Sequence, residues 1–561
     1  MQLAIILKYE QLFDDIPLTI KEYVCMIGKR ITLQLCTHFM YRELQDDQQN
    51  VVDFWRNYFC HDNYEFANKV IDQLEDLSKV NRITIIHTQN LYMLIEAALS
   101  DDVLDDKSPS PSNKVIEQAF FKALLVANNL IQEHQDEGLE KTEKYCLENQ
   151  YLKKSATLIL INQLAYGDYE YALNDEVAIT QLYRAVCFFK YAEEHYPIHL
   201  NYYLKEKGFS NWKEYVRELS GIAFNSVKKR KGTTYINIPQ ENKDKALDIC
   251  VSLSSGNIHD KTEDLDFIEL RNRPLYRWEE NEFMILSNLF LSEKLYQGIY
   301  FDFKIINDHL PVQDKISDLK SEYGIEFSER TLLYEVLNRL FRDNVIKKTG
   351  KDIEESIGDG GCDYYARSGS KVFIFESKDY LMPKSTKTSY DASLIVSYLY
   401  GRFVHSGNSK KAVEQLLQNI QFVRENKMEP SRSDGGKMTI YPIIVTHHRV
   451  FDTPAINFTV NQWFLQQLNE IEIVHKERIK PVVMMNIDTL IMMKDLCHQR
   501  AISFSDLLDE YIASILRNEK VSLKNSYLSF ADKMHDKIFS THQFPKGAVE
   551  FAKILFTDVA L

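Results

Sequence analysis

The chain lacks long apolar runs. None of its hydrophobic stretches approaches the roughly 20 residues that are needed to span a bilayer. Its N-terminal sequence, MQLAIILKYEQLFDD, also lacks the basic flank and the small-residue cleavage site of a signal peptide. We therefore expect a soluble, globular protein of the cytoplasm that has no membrane partner.

Cysteine is sparse and has no recurring spacing. The 8 cysteines are scattered without a C-x-x-C pair and without a nearby His-x-x-x-His pair. Neither a zinc site nor a disulfide framework is indicated, so we expect reduced and mostly buried thiols. The chain also lacks a convincing repeat of fixed period.

One stretch, GDGGCDYYARSGSKVFIFESK at residues 358–378, places an acid, a tight turn and an E-x-K on adjoining strands. Side chains alternate along a strand, so Glu376 and Lys378 share one face. A loop of two or four residues centred on Ser368-Gly369 would set Asp363 opposite Ile374 and diagonal to Glu376, roughly 7–8 Å away. Two carboxylates at that separation can hold one hard divalent cation. A three-residue loop would turn Asp363 to the other face.

The pattern D-x(12)-E-x-K, formed by Asp363, Glu376 and Lys378, resembles the PD-(D/E)xK nuclease superfamily, although Cys362 stands where that name has proline. The resemblance covers roughly residues 325–450 and implies a restriction-endonuclease-like core. It implies that the two acids hold Mg²⁺ or Mn²⁺ and that the lysine orients or activates the water that attacks a phosphodiester bond. The implied substrate is nucleic acid, with DNA favoured, and the implied setting is restriction or anti-phage defence.

A helix that carries another acid should precede the hairpin. The sequence SERTLLYEVLNRLF predicts one from Ser328, its N-cap, to Phe341. Projected at 100° per residue, Glu329 falls within the apolar stripe and Glu335 on the opposite face. We therefore prefer Glu329 as the helix-borne acid of the site and keep Glu335 as its alternative. Stabilisation of the helix dipole is the ordinary explanation for Glu329, and exposure to solvent is the ordinary explanation for Glu335.

Further elements should follow the E-x-K. Residues 409–424 predict an amphipathic helix, on which Gln415 and Lys411 match the glutamine or lysine that members of the superfamily often place there; a polar residue on a wet face is the alternative. Residues 438–446 and 480–488 predict buried strands, and residues 489–497 and 503–517 predict helices. His447 and His448, at the exit of the first strand, are candidates for phosphate contacts or ordinary loop residues.

The charge of the chain is unevenly distributed. The formal net charge is −14, yet residues 339–437 contain 17 Lys and Arg against 13 Asp and Glu. Four lysines near the motif are our candidates for binding a phosphate backbone. They are Lys384, Lys387, Lys410 and Lys411. The acidic remainder argues against extensive wrapping of nucleic acid and favours local binding, or a partner protein that supplies affinity.

The expected fold class is α/β with a mixed sheet, preceded by a large all-α region. Residues 1–227 predict that helical region, which would sense a trigger or dock nucleic acid, a partner protein or a second copy of the chain. Residues 228–322 predict a mixed connecting region and residues 323–495 the nuclease-like domain. Residues 496–561 predict a C-terminal helical segment.

Two other functions stay open. The first is a nuclease fold that only binds nucleic acid or a partner, although the complete set of two acids and a lysine argues against a decayed site. The second is a ribonuclease of the helical HEPN type, because Arg82 and His87 fit an R-x(4)-H spacing. That spacing is permissive, and the residues between them are β-branched and apolar.

Overall fold

The computed structural model describes residues 4–43, 51–149, 152–170, 174–225, 232–239, 243–256, 265–358, 360–407, 409–430, 435–516 and 527–539. The chain divides into two compact units. The first contains Met1–Glu137 and Glu218–Leu295, and the second contains Gly138–Arg217 and Tyr296–Leu561. The predicted N-terminal segment 1–227 is therefore shared between the two units. The end of the predicted C-terminal segment, residues 540–561, lies outside the described residues.

Helices make up most of the first unit. They are Ile20–Ile27, Lys29–Glu43, Val51–Tyr58, Tyr64–Ser78, Thr88–Ala98, Lys243–Ser252, Ile268–Asn272 and Asn288–Glu293, with short 3-10 turns at Tyr9–Gln11 and His61–Asn63. Two further helices, Asn113–Glu148 and Trp212–Ala223, contain two of the three boundaries between the units. Trp55, Phe120 and Phe121 are fully buried in this unit, so its core is aromatic.

The first unit also contains strands, of which the first two correct the all-α prediction for residues 1–227, whereas the other three lie in the connecting region that was predicted to be mixed. Strand β1 (Ala4–Ile6) pairs in parallel with β2 (Arg82–Thr84). Strands β3 (Tyr235–Asn237), β4 (Leu275–Glu279) and β5 (Glu282–Ile285) form an antiparallel sheet in the order β3-β5-β4. The sequence around β2, RITII, is β-branched, and Ile83 and Ile85 are buried. Such residues favour strands, which explains the local departure from helix.

The second unit is α/β. Its helices are Lys154–Gln163, Gly167–Glu170, Asn174–His195, Pro197–Glu206, Ile299–His309, Leu319–Glu322, Tyr334–Leu340, Gly350–Ile357, Lys384–Lys387, Ala392–Phe403, Ala412–Arg424, Ile456–Glu470, Ile487–His498, Phe504–Tyr511 and Phe530–Phe539. Tyr323–Leu333 and Ile512–Leu516 are π-helical, and Val312–Asp314, Gly435–Lys437, Arg449–Asp452 and Lys476–Arg478 are 3-10 turns. No helix in the described ranges is long and apolar enough to cross a membrane.

A five-stranded mixed sheet lies at the centre of the second unit. Its strands are β6 (Ile346–Thr349), β7 (Tyr364–Ser368), β8 (Lys371–Lys378), β11 (Thr439–Thr446) and β12 (Val483–Asn486), in the order β12-β11-β8-β7-β6. Strands β6, β7 and β8 are antiparallel neighbours, whereas β8, β11 and β12 run parallel. A separate hairpin joins β9 (His405–Ser406) to β10 (Ser409–Lys410). The motif strand β8 is therefore the middle strand of the sheet.

Both faces of β8 are covered, which explains its continuous apolar sequence. Phe373 and Phe375 point to the face that contains Phe341 and Phe504, with ring centroids 5.3–6.2 Å apart. Helix Ala412–Arg424 packs against β8. Its Asn419 reaches the side chain of Glu376, so this helix covers the face that carries the E-x-K.

The predicted strands and helices after the motif are confirmed, with two corrected helix starts. Strands β11 and β12 and helix Ile487–His498 lie within one to three residues of their predicted positions. The helix predicted over 503–517 is α-helical over Phe504–Tyr511 and continues as a π-helix over Ile512–Leu516. The helix predicted from Ser328 instead begins at Leu319, with Asp318 as N-cap, and runs through the π-helical stretch. The helix predicted from Ser409 begins at Ala412, because Ser409 and Lys410 pair with β9.

Candidate active site

The hairpin of β7 and β8 turns one residue later than predicted. Ser368 pairs with Lys371, so the two-residue loop is Gly369-Ser370, and Gly369 has the positive φ of 59° that such a turn favours. Ile374 consequently pairs with Tyr365 rather than with Asp363. The N–H of Asp363 donates to Phe375 O (3.1 Å), and Asp363 Oδ2 accepts from the N–H of Ser377 (2.6 Å). Asp363 therefore lies beside Glu376 and keeps the predicted face.

Glu376, Lys378 and Asp363 meet at the C-terminal end of β8. Lys378 Nζ lies 3.1 Å from Glu376 Oε2 and 4.0 Å from Asp363 Oδ2. The side chain of Glu376 is fully buried, and those of Lys378 and Asp363 are 11% and 19% exposed. One ammonium group thus faces two carboxylates in a largely dry site that still opens toward solvent at Asp363.

Glu329 is the third acid of this group, as the helical projection predicts. The hydroxyl of Tyr334 donates to Glu329 Oε1 (3.2 Å) and accepts from the N–H of Gly350 (3.0 Å). The negative charges of Asp363 and Glu329 act on the site together, since each raises the pKa of Glu376. We call Asp363, Glu376, Glu329 and Lys378 the carboxylate cluster.

Glu335 lies away from the carboxylate cluster. Its Oε1 accepts from the hydroxyl of Tyr183 (2.7 Å), and its Oε2 accepts from the thiol of Cys187 (3.7 Å). Both partners are on helix Asn174–His195. Glu335 therefore joins two helices, and the structure brings Glu329 rather than Glu335 to the motif.

Helix Ala412–Arg424 contributes the amide of Asn419 beside Glu376, and Gln415 lies one turn earlier on the same helix. Asn419 Nδ2 donates to Gln415 O (2.8 Å) and lies 3.5 Å from Glu376 Oε1. The side-chain oxygens of Gln415 and Asn419 are buried and have no hydrogen-bond partner within the described part of the chain. Gln415 was a predicted site residue, whereas Asn419 was not; its one-turn spacing from Gln415 is the signal that could have identified it.

The acids repel one another because they are buried together. Burial, followed by the charge of Asp363, raises the pKa of Glu329 to about 8. Burial also raises the pKa of Glu376 and of Asp363, and Lys378 opposes both shifts. Burial alone would lower the pKa of Lys378, but the charges of Glu376 and Asp363 outweigh it and hold the pKa above its usual range. Lys378 is therefore an ammonium ion at neutral pH.

The donor set fits Mg²⁺ or Mn²⁺ in part. No group of three or more His, Cys, Asp or Glu is arranged to hold a metal ion among the residues that the structure describes. However, Mg²⁺ is commonly bound by one or two carboxylates together with waters and substrate phosphates. Asp363 and Glu376 supply such a pair, and the unpartnered amide oxygen of Asn419, beside Glu376, is also a hard donor. The residues present therefore fit a cation that is shared with a substrate.

The four predicted phosphate-binding lysines have different surroundings. Lys387 is buried, ion-paired to Asp168 (2.7 Å) and near the ring of Tyr169, so its prediction as a loop cation is wrong. Lys384 is half-buried. Lys410 donates to Gln418 Oε1 (2.9 Å) in an exposed position, and half-buried Lys411 donates to Ser409 Oγ (3.1 Å). Lys410 is the most accessible of the four.

The residues of the R-x(4)-H spacing do not share a helix. Arg82 lies on β2, and His87 precedes helix Thr88–Ala98. His87 Nε2 is hydrogen-bonded to Asn128 Oδ1 (3.0 Å), and burial lowers the pKa of His87 to about 4. These contacts give His87 a structural role in the first unit.

No family model, curated protein or solved structure matches this chain. The carboxylate cluster is therefore the feature of the molecule from which we infer a function.

Proposed function

We propose that the protein is a metal-dependent nuclease of the PD-(D/E)xK type, which hydrolyses phosphodiester bonds in nucleic acid, with DNA as the favoured substrate. The observation that carries the proposal is the carboxylate cluster at the end of the central strand. Three acids and one lysine meet there; Glu376 is fully buried, whereas Asp363, Glu329 and Lys378 are partly exposed. Crowding of acids around one lysine costs stability, and acids whose pKa values are perturbed in this way are typical of a functional site.

Each residue has a distinct role in this proposal. Asp363 and Glu376 hold Mg²⁺ or Mn²⁺, with Glu329 as a further source of negative charge. When bound, the cation supplies Lewis-acid stabilisation of negative charge on the phosphate. Gln415 and Asn419 orient Glu376 and polar groups of the substrate through their amides. The arrangement also supports a restriction-endonuclease-like core, because the E-x-K strand is central and a helix after it covers the site.

Lys378 acts as a fixed positive charge in this proposal. An ammonium whose pKa is held above its usual range is a poor proton acceptor. It can donate hydrogen bonds to the attacking water and to a phosphate oxygen. Of the two roles that the resemblance implies, orientation of the water therefore has more physical support than its deprotonation by Lys378.

A second candidate function is binding of nucleic acid without cleavage. The observation that favours it is the ion pair between Lys378 and Glu376, together with the lack of a ready three-residue metal site in the described residues. In that case the lysine neutralises the acids as a structural element. The HEPN alternative has no comparable support, because His87 is occupied by Asn128.

A cleavage panel distinguishes these candidates. Duplex DNA, single-stranded DNA and RNA are each incubated with Mg²⁺, Mn²⁺ or EDTA and wild type, Lys378→Ala or Lys371→Ala. Lys371 is the matched control, because it lies at the other end of β8 and contacts Ser505. We expect metal-dependent cleavage that Lys378→Ala abolishes and Lys371→Ala retains, while both variants still bind.

Two results would decide against the nuclease. Cleavage of none of the polymers with either metal would favour the binding function. Equal cleavage by wild type and Lys378→Ala would remove the lysine from the mechanism.

A further inference from the structure

A recess lies in the second unit, next to the end of β8. Its floor and walls include Tyr296, Tyr300, Tyr323 and Arg184, and we call it the tyrosine cavity. It measures about 630 Å³, including the part that is open to solvent. The recess is open to solvent, so a ligand would lie partly at its rim and partly against its lining.

The cavity is rich in aromatic rings. Tyr300 and Tyr323 have ring centroids 5.1 Å apart, and those of Tyr300 and Phe301 are 5.4 Å apart. Tyr296 and Tyr323 are buried and hydrogen-bonded to each other through their hydroxyls, whereas Tyr300 is half-buried and Phe301 is 49% exposed. The rim therefore offers ring surface to a flat partner.

Buried polar atoms in the cavity are left without partners. Arg184 is 4% exposed; its Nη1 donates to His447 O (3.0 Å) and Asp488 Oδ1 (3.2 Å), but its Nε has no hydrogen-bond partner among the described residues. His447 is 1% exposed and contacts Ser377 Oγ through Nε2, while its Nδ1 is also unpartnered in that part of the chain. Unsatisfied buried groups of this kind cost stability, and a ligand would satisfy them.

Charged and amide groups complete the lining. Lys320 and Gln297 are exposed at the rim. Asp379 accepts from the hydroxyl of Ser328 (2.6 Å) and is paired with His448 (3.1 Å). Burial alone would raise the pKa of Asp379, but His448, His447 and Ser328 hold it well below the usual range, so this acid stays ionised. Cations, an amide and a fixed carboxylate can each recognise a different part of a polar ligand.

We propose that the tyrosine cavity binds a nucleotide, with its base against the rim rings, the base edge facing Gln297 and Asp379, and its phosphate near Lys320 and Arg184. Bases stack on aromatic side chains and on guanidinium planes, and phosphates pair with Arg and Lys. The nucleotide is either free or part of a strand, because both sources present the same chemistry. The inference does not depend on cleavage by the carboxylate cluster.

The cavity is coupled to the carboxylate cluster through the chain. Asp379 directly follows Lys378, and Ser328, its partner, directly precedes Glu329. A nucleotide within a strand would therefore enter next to the carboxylate cluster. A free nucleotide would lie next to the same two pairs of adjacent residues, which are Lys378 with Asp379 and Ser328 with Glu329.

The test measures binding in EDTA, so that cleavage plays no part. The probes are 2-aminopurine riboside 5′-monophosphate, the same nucleoside without phosphate, and a short single-stranded DNA that contains one 2-aminopurine. Fluorescence of the base falls when it stacks. The double variant Tyr300→Ala/Lys320→Ala is compared with Tyr202→Ala/Lys205→Ala, which removes an exposed tyrosine and an exposed lysine from helix Pro197–Glu206 of the same unit.

We expect saturable quenching in wild type, a loss of affinity of about 10-fold or more in the cavity variant, and no change in the control. Quenching of the free monophosphate identifies a free nucleotide as ligand, and quenching of the strand alone identifies a nucleotide within a chain. Lys320→Ala alone gives the same direction with a smaller effect, should the double variant not fold. Absence of quenching with every probe, or equal affinity of wild type and the cavity variants, would overturn the proposal. Equal affinity for nucleoside and monophosphate would overturn the assigned phosphate contact.

Discussion

Two buried polar groups, one in each unit, differ in how completely they are satisfied. In the first unit, Asn128 Nδ2 donates hydrogen bonds to Leu7 O and Ile85 O. Asn128 Oδ1 accepts a hydrogen bond from Asn90 Nδ2 and is also hydrogen-bonded to His87 Nε2. This set is neutral, since burial lowers the pKa of His87 to about 4. The carboxylate cluster instead holds three acids against one lysine, beside the unpartnered amide oxygen of Asn419. The first arrangement stabilises a fold, whereas the second costs stability when its acids are ionised.

The largest expected effect is on catalysis. Asp363→Asn and Glu376→Gln each remove a negative charge from the carboxylate cluster while keeping its shape. Cleavage should fall by about 100-fold or more in each, because the cation loses an anionic ligand. The Tm in EDTA should stay level or rise, since repulsion between acids is relieved. Gel-based cleavage rates and thermal melts measure both, and full activity in either variant would refute the assignment.

The two glutamates of one helix provide an internal control. Glu329→Gln should reduce cleavage at least about 10-fold, because Glu329 belongs to the carboxylate cluster. Glu335→Gln should leave cleavage per folded molecule nearly unchanged and lower the Tm, because it weakens the bonds from Tyr183 and Cys187. Initial rates and melting curves of both variants check this. An inactive Glu335→Gln beside an active Glu329→Gln would exchange their roles.

Substitution within the hydrogen-bonded group around Asn128 should have the opposite effect to substitution in the carboxylate cluster, because it should lower stability and leave cleavage unchanged. Asn128→Ala leaves the carbonyls of Leu7 and Ile85 without their shared donor. The free energy of unfolding should fall by about 2–3 kcal/mol, whereas cleavage by the folded protein should not change. Urea denaturation and cleavage assays at a temperature well below the melting transition test this. A loss of activity without a loss of stability would mean that the first unit contributes directly to the reaction.

The smallest effect is the dependence of stability on pH without metal. The pKa of Glu329 is raised from 4.5 to about 8, so its protonated form stabilises the fold. That contribution is complete below the unfolded pKa and is lost as the pH rises through about 8. In EDTA the Tm of wild type should therefore fall between about pH 5 and about pH 9 by a few degrees more than that of Glu329→Gln. Glu355→Gln, which changes an exposed glutamate, should keep the wild-type slope; identical slopes in all three would contradict the burial of Glu329.

From the sequence we predicted correctly which face of a strand or helix each site residue occupies. We predicted less well which residue lies directly opposite it. Side chains alternate along a strand, so Asp363 stayed on the face of Glu376 although the turn moved to Gly369-Ser370. The apolar stripe identified Glu329 although the helix begins earlier and contains π-helical turns. The period of side chains along a strand or a helix therefore predicts which face a residue occupies, even where the ends of the element are misplaced.

Local sequence patterns could not predict contacts between residues that are far apart in the chain. Lys387 was expected to bind phosphate, but it is paired with Asp168, which is more than 200 positions away in the chain. The short parallel pairing of β1 with β2 and the division of residues 1–227 between two units also depend on packing at long range. The tyrosine cavity combines residues from five separate segments, and no single stretch of sequence indicates it.

Binding of Mn²⁺ tests the central claim most directly. Electron paramagnetic resonance would count free Mn²⁺ during titration of wild type, Glu376→Gln and the control Lys371→Ala, with and without a phosphorothioate oligonucleotide that resists cleavage. We expect wild type and Lys371→Ala to bind Mn²⁺, more tightly when the oligonucleotide is present, and Glu376→Gln to bind at least about 10-fold more weakly. Equal binding by Glu376→Gln and wild type, or no binding by wild type in the presence of the oligonucleotide, would contradict a metal-dependent role for the carboxylate cluster.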